Sequence, residues 1–153
     1  MVIETYSEIA AAIREELARI ADPDEAMTRA VTRLKERLPG YTWVGIYLLK
    51  GDELVLGPFL GKPSPHARIP LGRGICGAAA TERATIVVDD VRADPRYLAC
   101  SIETRSEIVV PIMRDGRVLG EIDIDSDRPA AFGPRDRELL ESVAATLAEK
   151  LDR

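Results

Sequence analysis

Residues Ser106–Ser126 read SEIVVPIMRDGRVLGEIDIDS, two β-rich runs joined by a central Asp-Gly pair. Asp-Gly between alternating apolar residues is typical of a two-residue hairpin turn. Side chains along a strand alternate between faces, so Glu121, Asp123 and Asp125 share one face while the intervening isoleucines share the other. Neighbouring carboxylates on that face would lie only ~6–7 Å apart. Such a face either points into water or binds a cation and keeps one acid protonated near neutral pH.

The composition suits one compact domain spanning residues 1–153, with 46% hydrophobic residues. A net charge of −5, with 21 basic residues dispersed among 26 acidic ones, argues against nucleic-acid binding. Apolar runs are too short to span a membrane, and the N-terminus lacks a signal-peptide pattern. Two cysteines cannot build a disulfide framework, so we expect reduced thiols in a cytoplasmic protein.

Helices are predicted at both ends of the chain. The first has apolar residues at helical spacing from Tyr6 to Ile20, and Asp22-Pro23 then reads as an N-cap and a first-turn proline for the second. The other predicted elements are strands over 41–49, 53–60, 85–88, 107–113 and 117–125, a short helix from about 75 to 80, and a final helix after 132–134. Residues 61–74 and 89–106 are predicted loops. The expected fold is α+β, with about six antiparallel strands, the terminal helices on one face, and a pocket of loops and the short helix on the other.

Several short strings, in this order, resemble the GAF-domain free methionine-(R)-sulfoxide reductases. They are Trp43–Leu48, Leu56–Phe59, Gly61-Lys62, Arg68–Pro70, Gly72–Gly77, Ser106–Pro111 and Asp123–Ser126. Each string alone is a weak signal, but their joint order and spacing are specific. The resemblance covers roughly residues 41–151 and implies a GAF fold, reduction of the free amino acid, and recycling by a thioredoxin-type reductant. We further expect a homodimer, and neither a cofactor nor a metal.

Carried over by position, the resemblance makes Cys100 the attacking thiol and Cys76 a second redox thiol. It makes Glu107, Asp123 and Asp125 the acids of the substrate site. The family usually has a further, resolving cysteine two residues before the Arg-Ile-Pro string, where this chain has His66. Two alternatives follow: Cys76 resolves Cys100, or the domain has kept a ligand pocket and lost turnover.

The reaction can be checked against the residue types. A thiolate attacks a sulfoxide sulfur only if the oxygen is protonated, so the site needs a cysteine beside an acid. Repulsion among Glu107, Asp123 and Asp125 would keep one of them protonated, while an ionised partner could bind the substrate ammonium. We also predict that the dipole of the short helix lowers the pKa of Cys76, which would suit a resolving thiol.

Each of these residues also has a simpler interpretation. The acids could be solvated positions near a strand end, and both cysteines could be small buried hydrophobic residues. His66 fits an exposed loop position or a base near Cys100. The aromatic residues fit a hydrophobic core or the wall of a methionine pocket, and these two roles are compatible. The aromatic residues concerned are Trp43, Tyr47 and Phe59.

Overall fold

The computed structural model describes residues 4–98 and 102–151. Its helices are α1 (Tyr6–Ala18), α2 (Pro23–Arg37), α3 (Gly74–Glu82) and α4 (Pro134–Leu151). Its strands are β1 (Trp43–Lys50), β2 (Glu53–Leu60), β3 (Arg68–Pro70), β4 (Ile86–Val88), β5 (Ser106–Arg114) and β6 (Arg117–Ser126). The strands form a six-stranded antiparallel sheet in the order β3-β2-β1-β6-β5-β4. The expected α+β architecture is confirmed.

The β5–β6 hairpin forms at the predicted Asp-Gly turn. Asp115 and Gly116 both have positive φ, 52° and 76°, as a type I′ turn requires at its two central residues. The turn fixes a register in which Glu107 faces Asp125 and Val109 faces Asp123. Because β6 also pairs with β1, with Gly45 opposite Asp123, the acids of β6 lie in the middle of the sheet.

The two faces of the sheet are covered by different layers. Ile122 and Ile124 pack with α1, α2 and α4 in one apolar cluster, as the alternation along β6 predicts. Tyr47 and Val109 face the other way, into a smaller cluster with residues of α3. The acids of β6 share this second face, so α3 and the loops around it lie over them.

Local sequence signals fix the helix ends. Thr5 and Glu8 form a capping box at the start of α1, and the Asp22 side chain accepts a hydrogen bond from the Glu25 amide at the start of α2. In the first turn of α4, the Asp136 carboxylate accepts hydrogen bonds from the Gly133 amide and the buried Tyr41 hydroxyl. No helix in the described ranges is long and apolar enough to cross a membrane.

The structure corrects the prediction that residues 61–74 form only a loop. Arg68–Pro70 is a short edge strand, β3, paired with β2. Pro70 is tolerated there because an edge strand leaves one side of its backbone without a ladder partner. A single 3₁₀ turn at Val91–Ala93 likewise interrupts the predicted loop over 89–106.

Candidate active site

Four carboxyl side chains are buried together on the α3 side of the sheet. Glu107 projects from β5, and Glu121, Asp123 and Asp125 project from β6; none of the four is more than 5% exposed. The strand alternation placed three of them on one face, and the β5–β6 register brings Glu107 to the same place. The simpler interpretation, a solvated acidic face near a strand end, is therefore wrong.

Cys76 lies directly over these acids. It occupies the first turn of α3, where the sequence predicted it, and its Sγ lies 3.3 Å from Asp123 Oδ2. Cys76 Sγ and one carboxylate oxygen each from Glu107 and Asp123 lie within 4.8 Å of one another. These three atoms could approach one metal ion, but they could equally share protons.

Hydrogen bonding among the acids indicates shared protons. Glu107 is hydrogen-bonded to both Asp123 and Asp125. An ionised carboxylate only accepts hydrogen bonds, so each of these contacts needs a proton on one of its two carboxyl groups. Burial raises the pKa of Asp123, Asp125 and Glu121, and for the last two the nearby Asp123 charge raises the pKa further. The cluster can therefore hold protons that it later donates.

The predicted lowering of the Cys76 pKa is wrong. Burial raises the pKa of this thiol well above its usual value, and the charges of Asp123, Glu121 and Glu107 raise it further. The helix dipole acts over the first turn only weakly, whereas full burial beside three acids penalises a thiolate strongly. Cys76 is thus held as a neutral thiol that donates toward Asp123.

Two cavities adjoin the acids. The inner cavity, of about 20 Å³, is lined by Tyr47, His66, Ile69, Gly74, Ile75, Cys76, Leu98, Glu107 and Asp123. The outer cavity, of about 140 Å³, is lined by Thr42, Trp43, Lys62, Pro63, Ser64, Glu103, Thr104, Asp125 and Asp127. The inner cavity has room for about one water molecule. A substrate therefore fits more readily in the outer cavity, where Asp125, one of the four buried acids, forms part of the lining.

The three predicted aromatic residues have different positions. Trp43 lines the outer cavity and stacks on Phe59, with ring centroids 5.7 Å apart. Phe59 supports that wall and does not line either cavity. Tyr47 lines the inner cavity, and its hydroxyl donates to the His66 carbonyl oxygen at 2.8 Å. Trp43 and Tyr47 thus belong both to a cavity wall and to the buried core.

Gly45 makes room for the Trp43 ring. The two residues project from the same face of β1, and a Cβ at position 45 would overlap the six-membered ring of the indole. The indole Nε1 donates to the Lys62 carbonyl oxygen at 2.9 Å. Trp43 therefore joins β1 to the loop that carries Lys62 along the outer cavity.

Cys100, the predicted attacking thiol, lies outside the described residues. The described residues on either side of positions 99–101 do border the candidate site. Leu98 lines the inner cavity, and Glu103 and Thr104 line the outer one. His66 is half-buried in the loop between β2 and β3 and also lines the inner cavity, so the position of the missing family cysteine borders Cys76 and Asp123.

Two residues of the site were not among the predicted site residues. Glu121 shares the acidic face by simple alternation, yet only the position of α3 makes it a fully buried neighbour of Cys76 and Asp123. In the sequence, Lys62 is distinguished only as part of the Gly-Lys string, with no indication that it borders a cavity. Its position on the outer cavity depends on the path of a loop, which no periodic pattern encodes.

The chain is similar to known proteins in both sequence and fold. The sequence matches the GAF domain family over residues 7–151. The free methionine-R-sulfoxide reductase of Escherichia coli (strain K12) is 40% identical over 118 residues, 77% of this chain and 71% of that protein. The protein of the same name from Saccharomyces cerevisiae is 45% identical over 106 residues, 67% of this chain and 58% of its own length. The X-ray structure of the Neisseria meningitidis free methionine-R-sulfoxide reductase with its substrate superposes with a TM-score of 0.91 at 41% identity, covering 96% of this chain and 88% of that one.

Proposed function

Because this chain belongs to the GAF domain family, and within it to the free methionine-R-sulfoxide reductases, we propose that it reduces free L-methionine (R)-sulfoxide to methionine. The observation that carries the proposal is the Cys76 thiol 3.3 Å from Asp123, among four buried carboxyl side chains. Reduction of a sulfoxide consumes protons as well as electrons, and this cluster can store and deliver them.

The first step is oxygen transfer to Cys100. Its thiolate attacks the sulfoxide sulfur while a protonated acid of the cluster donates to the sulfoxide oxygen. The S–S bond formed by this attack then breaks as the protonated oxygen transfers to the cysteine sulfur as a hydroxyl group, so the sulfoxide is reduced to a thioether and the thiol is oxidised by two electrons to a sulfenic acid. Asp123 and Asp125 are suited to the proton transfer because burial raises their pKa values. An ionised member of the set binds the substrate ammonium.

The second step forms a disulfide between Cys76 and Cys100. The Cys76 sulfur attacks the sulfenic sulfur, the S–O bond breaks, and the hydroxyl leaves as water after taking up a proton. Asp123, 3.3 Å from Cys76 Sγ, is placed to accept the thiol proton. Since burial beside the acids raises the pKa of Cys76, this thiol attacks only when Asp123 has already given up its own proton.

We expect an external dithiol of the thioredoxin type to restore the enzyme. Exchange with the external dithiol breaks the Cys76–Cys100 disulfide through a mixed disulfide and returns two thiols. This cycle belongs in a reducing compartment such as the cytoplasm, where a chain with only two cysteines keeps them reduced. A homodimer is part of the same proposal, and sedimentation of the purified chain tests it.

Turnover of free L-methionine sulfoxide with dithiothreitol tests the proposal. With an equal mixture of the (R) and (S) sulfoxide epimers of free L-methionine, we expect methionine to accumulate until half of the mixture is consumed, with loss of free thiols in enzyme kept without reductant. The Cys100→Ser variant should form no methionine while keeping the wild-type melting temperature, because a hydroxyl is a far weaker nucleophile of similar size. Consumption of the (S)-sulfoxide epimer, or ordinary turnover by Cys100→Ser, would overturn the assignment.

The alternative function is a small-molecule-binding or redox-sensing module. The replacement of one family cysteine by His66 and the small inner cavity favour it, because both fit a pocket without a complete thiol relay. The turnover assay, with calorimetry to confirm that the ligand binds, separates the two functions. A sensing module would bind methionine sulfoxide or another ligand and form no methionine, whereas the reductase would produce methionine with turnover.

A further inference from the structure

The outer cavity carries charged side chains of both signs. Asp125 lies on one side, 3% exposed, and its Oδ1 has no hydrogen-bond partner among the described residues. Lys62 lines the same cavity. A free amino acid is a zwitterion, so it needs an anionic group for its ammonium and a cationic or N–H group for its carboxylate. The outer cavity offers both.

The backbone of Lys62 is held in place at this cavity. Its carbonyl oxygen accepts the Trp43 indole hydrogen bond, and the preceding Gly61 has a φ of 131°, which favours glycine. A Cβ on Gly61 would lie 2.6 Å from Trp43 Cδ1, so the loop follows the indole ring closely. The start of the Lys62 side chain is therefore fixed, while its four-carbon stem stays adaptable.

The Lys62 ammonium group already forms an ion pair with a carboxylate. Glu103 Oε2 lies 2.6 Å from Lys62 Nζ, and the two side chains are 59% and 68% exposed. An exposed pair of this kind contributes little to stability and exchanges partners at low cost. Glu103 also lines the outer cavity, so a ligand carboxylate could take its place on Lys62 while the exposed Glu103 carboxylate returns to water.

From this arrangement we infer that Lys62 binds the substrate carboxylate, displacing Glu103, and thereby selects the free amino acid over methionine sulfoxide residues within peptides. The inference rests on the proposed function and adds a specificity-determining residue to it. A peptide-bound residue lacks the free α-carboxylate, so it would leave the Lys62–Glu103 pair intact. Lys62 would then contribute no binding free energy to that substrate. Asp125 discriminates at the other end of the substrate, against acylated amines.

The test compares free methionine sulfoxide with its primary amide, which keeps the ammonium and removes only the carboxylate charge. Wild-type enzyme should prefer the acid in kcat/KM. Lys62→Met keeps an unbranched side chain. It should reduce that preference roughly three- to tenfold, because kcat/KM falls for the acid and stays unchanged for the amide. Lys62→Arg should keep the preference. Lys50→Met is the matched control, because Lys50 is exposed at the opposite end of β1 from Trp43.

Glu103→Gln provides a second readout. Removing the competing carboxylate should lower KM for the acid and leave KM for the amide unchanged. An acid-to-amide ratio unchanged in Lys62→Met, or an equal loss for both compounds, would overturn the inference. If wild-type enzyme reduces neither compound, the proposed function fails. Calorimetric Kd values of methionine and methioninamide for the same variants then test the inference, which requires that Lys62→Met weaken the binding of methionine alone.

Discussion

At the scale of single residues, the placement of Glu121 has a cost that depends on pH. Its folded-state pKa is raised by burial and by Asp123, so the stability associated with this group is full below the unfolded pKa and is lost as pH rises toward the folded pKa. Each unit of that difference amounts to about 1.4 kcal/mol. Glutamine resembles the protonated acid and does not titrate. We therefore expect Glu121→Gln to melt higher than wild type at pH 7.5 and to lose this advantage near pH 4.5.

Thermal melts of both proteins between pH 4.5 and 8 measure this difference. The surface substitution Glu138→Gln serves as a control for general charge effects, since Glu138 lies exposed on α4, on the far side of the sheet. An advantage that grows as the pH falls would contradict the assignment of a raised pKa to Glu121.

Neutralising the other acids should separate catalysis from stability. Asp125→Asn removes a carboxyl group that serves as a proton donor when protonated or as an ammonium partner when ionised, yet it also relieves charge crowding in a buried site. We expect kcat/KM to fall by roughly 10²-fold, as for loss of one acid–base group, with the melting temperature unchanged or raised. Glu107→Gln and Asp123→Asn should behave in the same way. Unchanged kcat/KM in all three variants would identify the acids as a structural feature of a ligand-binding domain.

The role of Cys76 as the resolving thiol can be tested by counting how many turnovers each enzyme molecule completes without it. The Cys76→Ser variant should complete one oxygen transfer and stop, with Cys100 held as sulfenic acid, because serine cannot resolve it to a disulfide. Intact-mass measurement with a sulfenic-acid trap reads the product directly. A wild-type disulfide that never includes Cys76 would mean that an external thiol or a second chain resolves Cys100.

At the scale of elements, β1 positions the wall of the outer cavity because Gly45, which has no side chain, leaves space for the Trp43 ring. In Gly45→Ala the new methyl group would overlap the Trp43 ring and force it to move. We expect an increase in KM together with a stability loss of about 1–3 kcal/mol, the usual cost of overpacking. Gly133→Ala is the matched control, because a Cβ there meets open space. Equal KM values for the two variants would show that the position of Trp43 does not matter for binding.

Much of the fold could be predicted from periodic patterns. Alternation along β6 predicted which side chains face α1, α2 and α4, and the Asp-Gly turn predicted its hairpin. The edge strand β3 was missed because three residues ending in proline carry no alternation. The pKa of Cys76 was predicted in the wrong direction because its sign depends on what lies beneath α3, and a helix pattern does not identify the opposing surface.

At the scale of the whole molecule, the sheet separates stability from chemistry. Leu140 of α4 is fully buried on the helical side, opposite the acids. We expect Leu140→Ala to lower the free energy of unfolding by about 2–5 kcal/mol and to leave KM within twofold of wild type at a temperature where the variant is folded. Chemical denaturation and steady-state kinetics on the same preparation measure both quantities. A large rise in KM would show that the two faces are coupled.

Trp43 is the chain's single tryptophan, and it stands on the wall of the outer cavity with its indole N–H bound to the Lys62 backbone. Intrinsic emission excited at the red edge of protein absorbance therefore comes from one ring at one place. Occupancy of the cavity, or movement of the Lys62 loop, would alter the polarity around that ring and hence its emission wavelength. The molecule thus carries its own optical reporter, and ligand binding can be followed in stopped flow without attaching a dye.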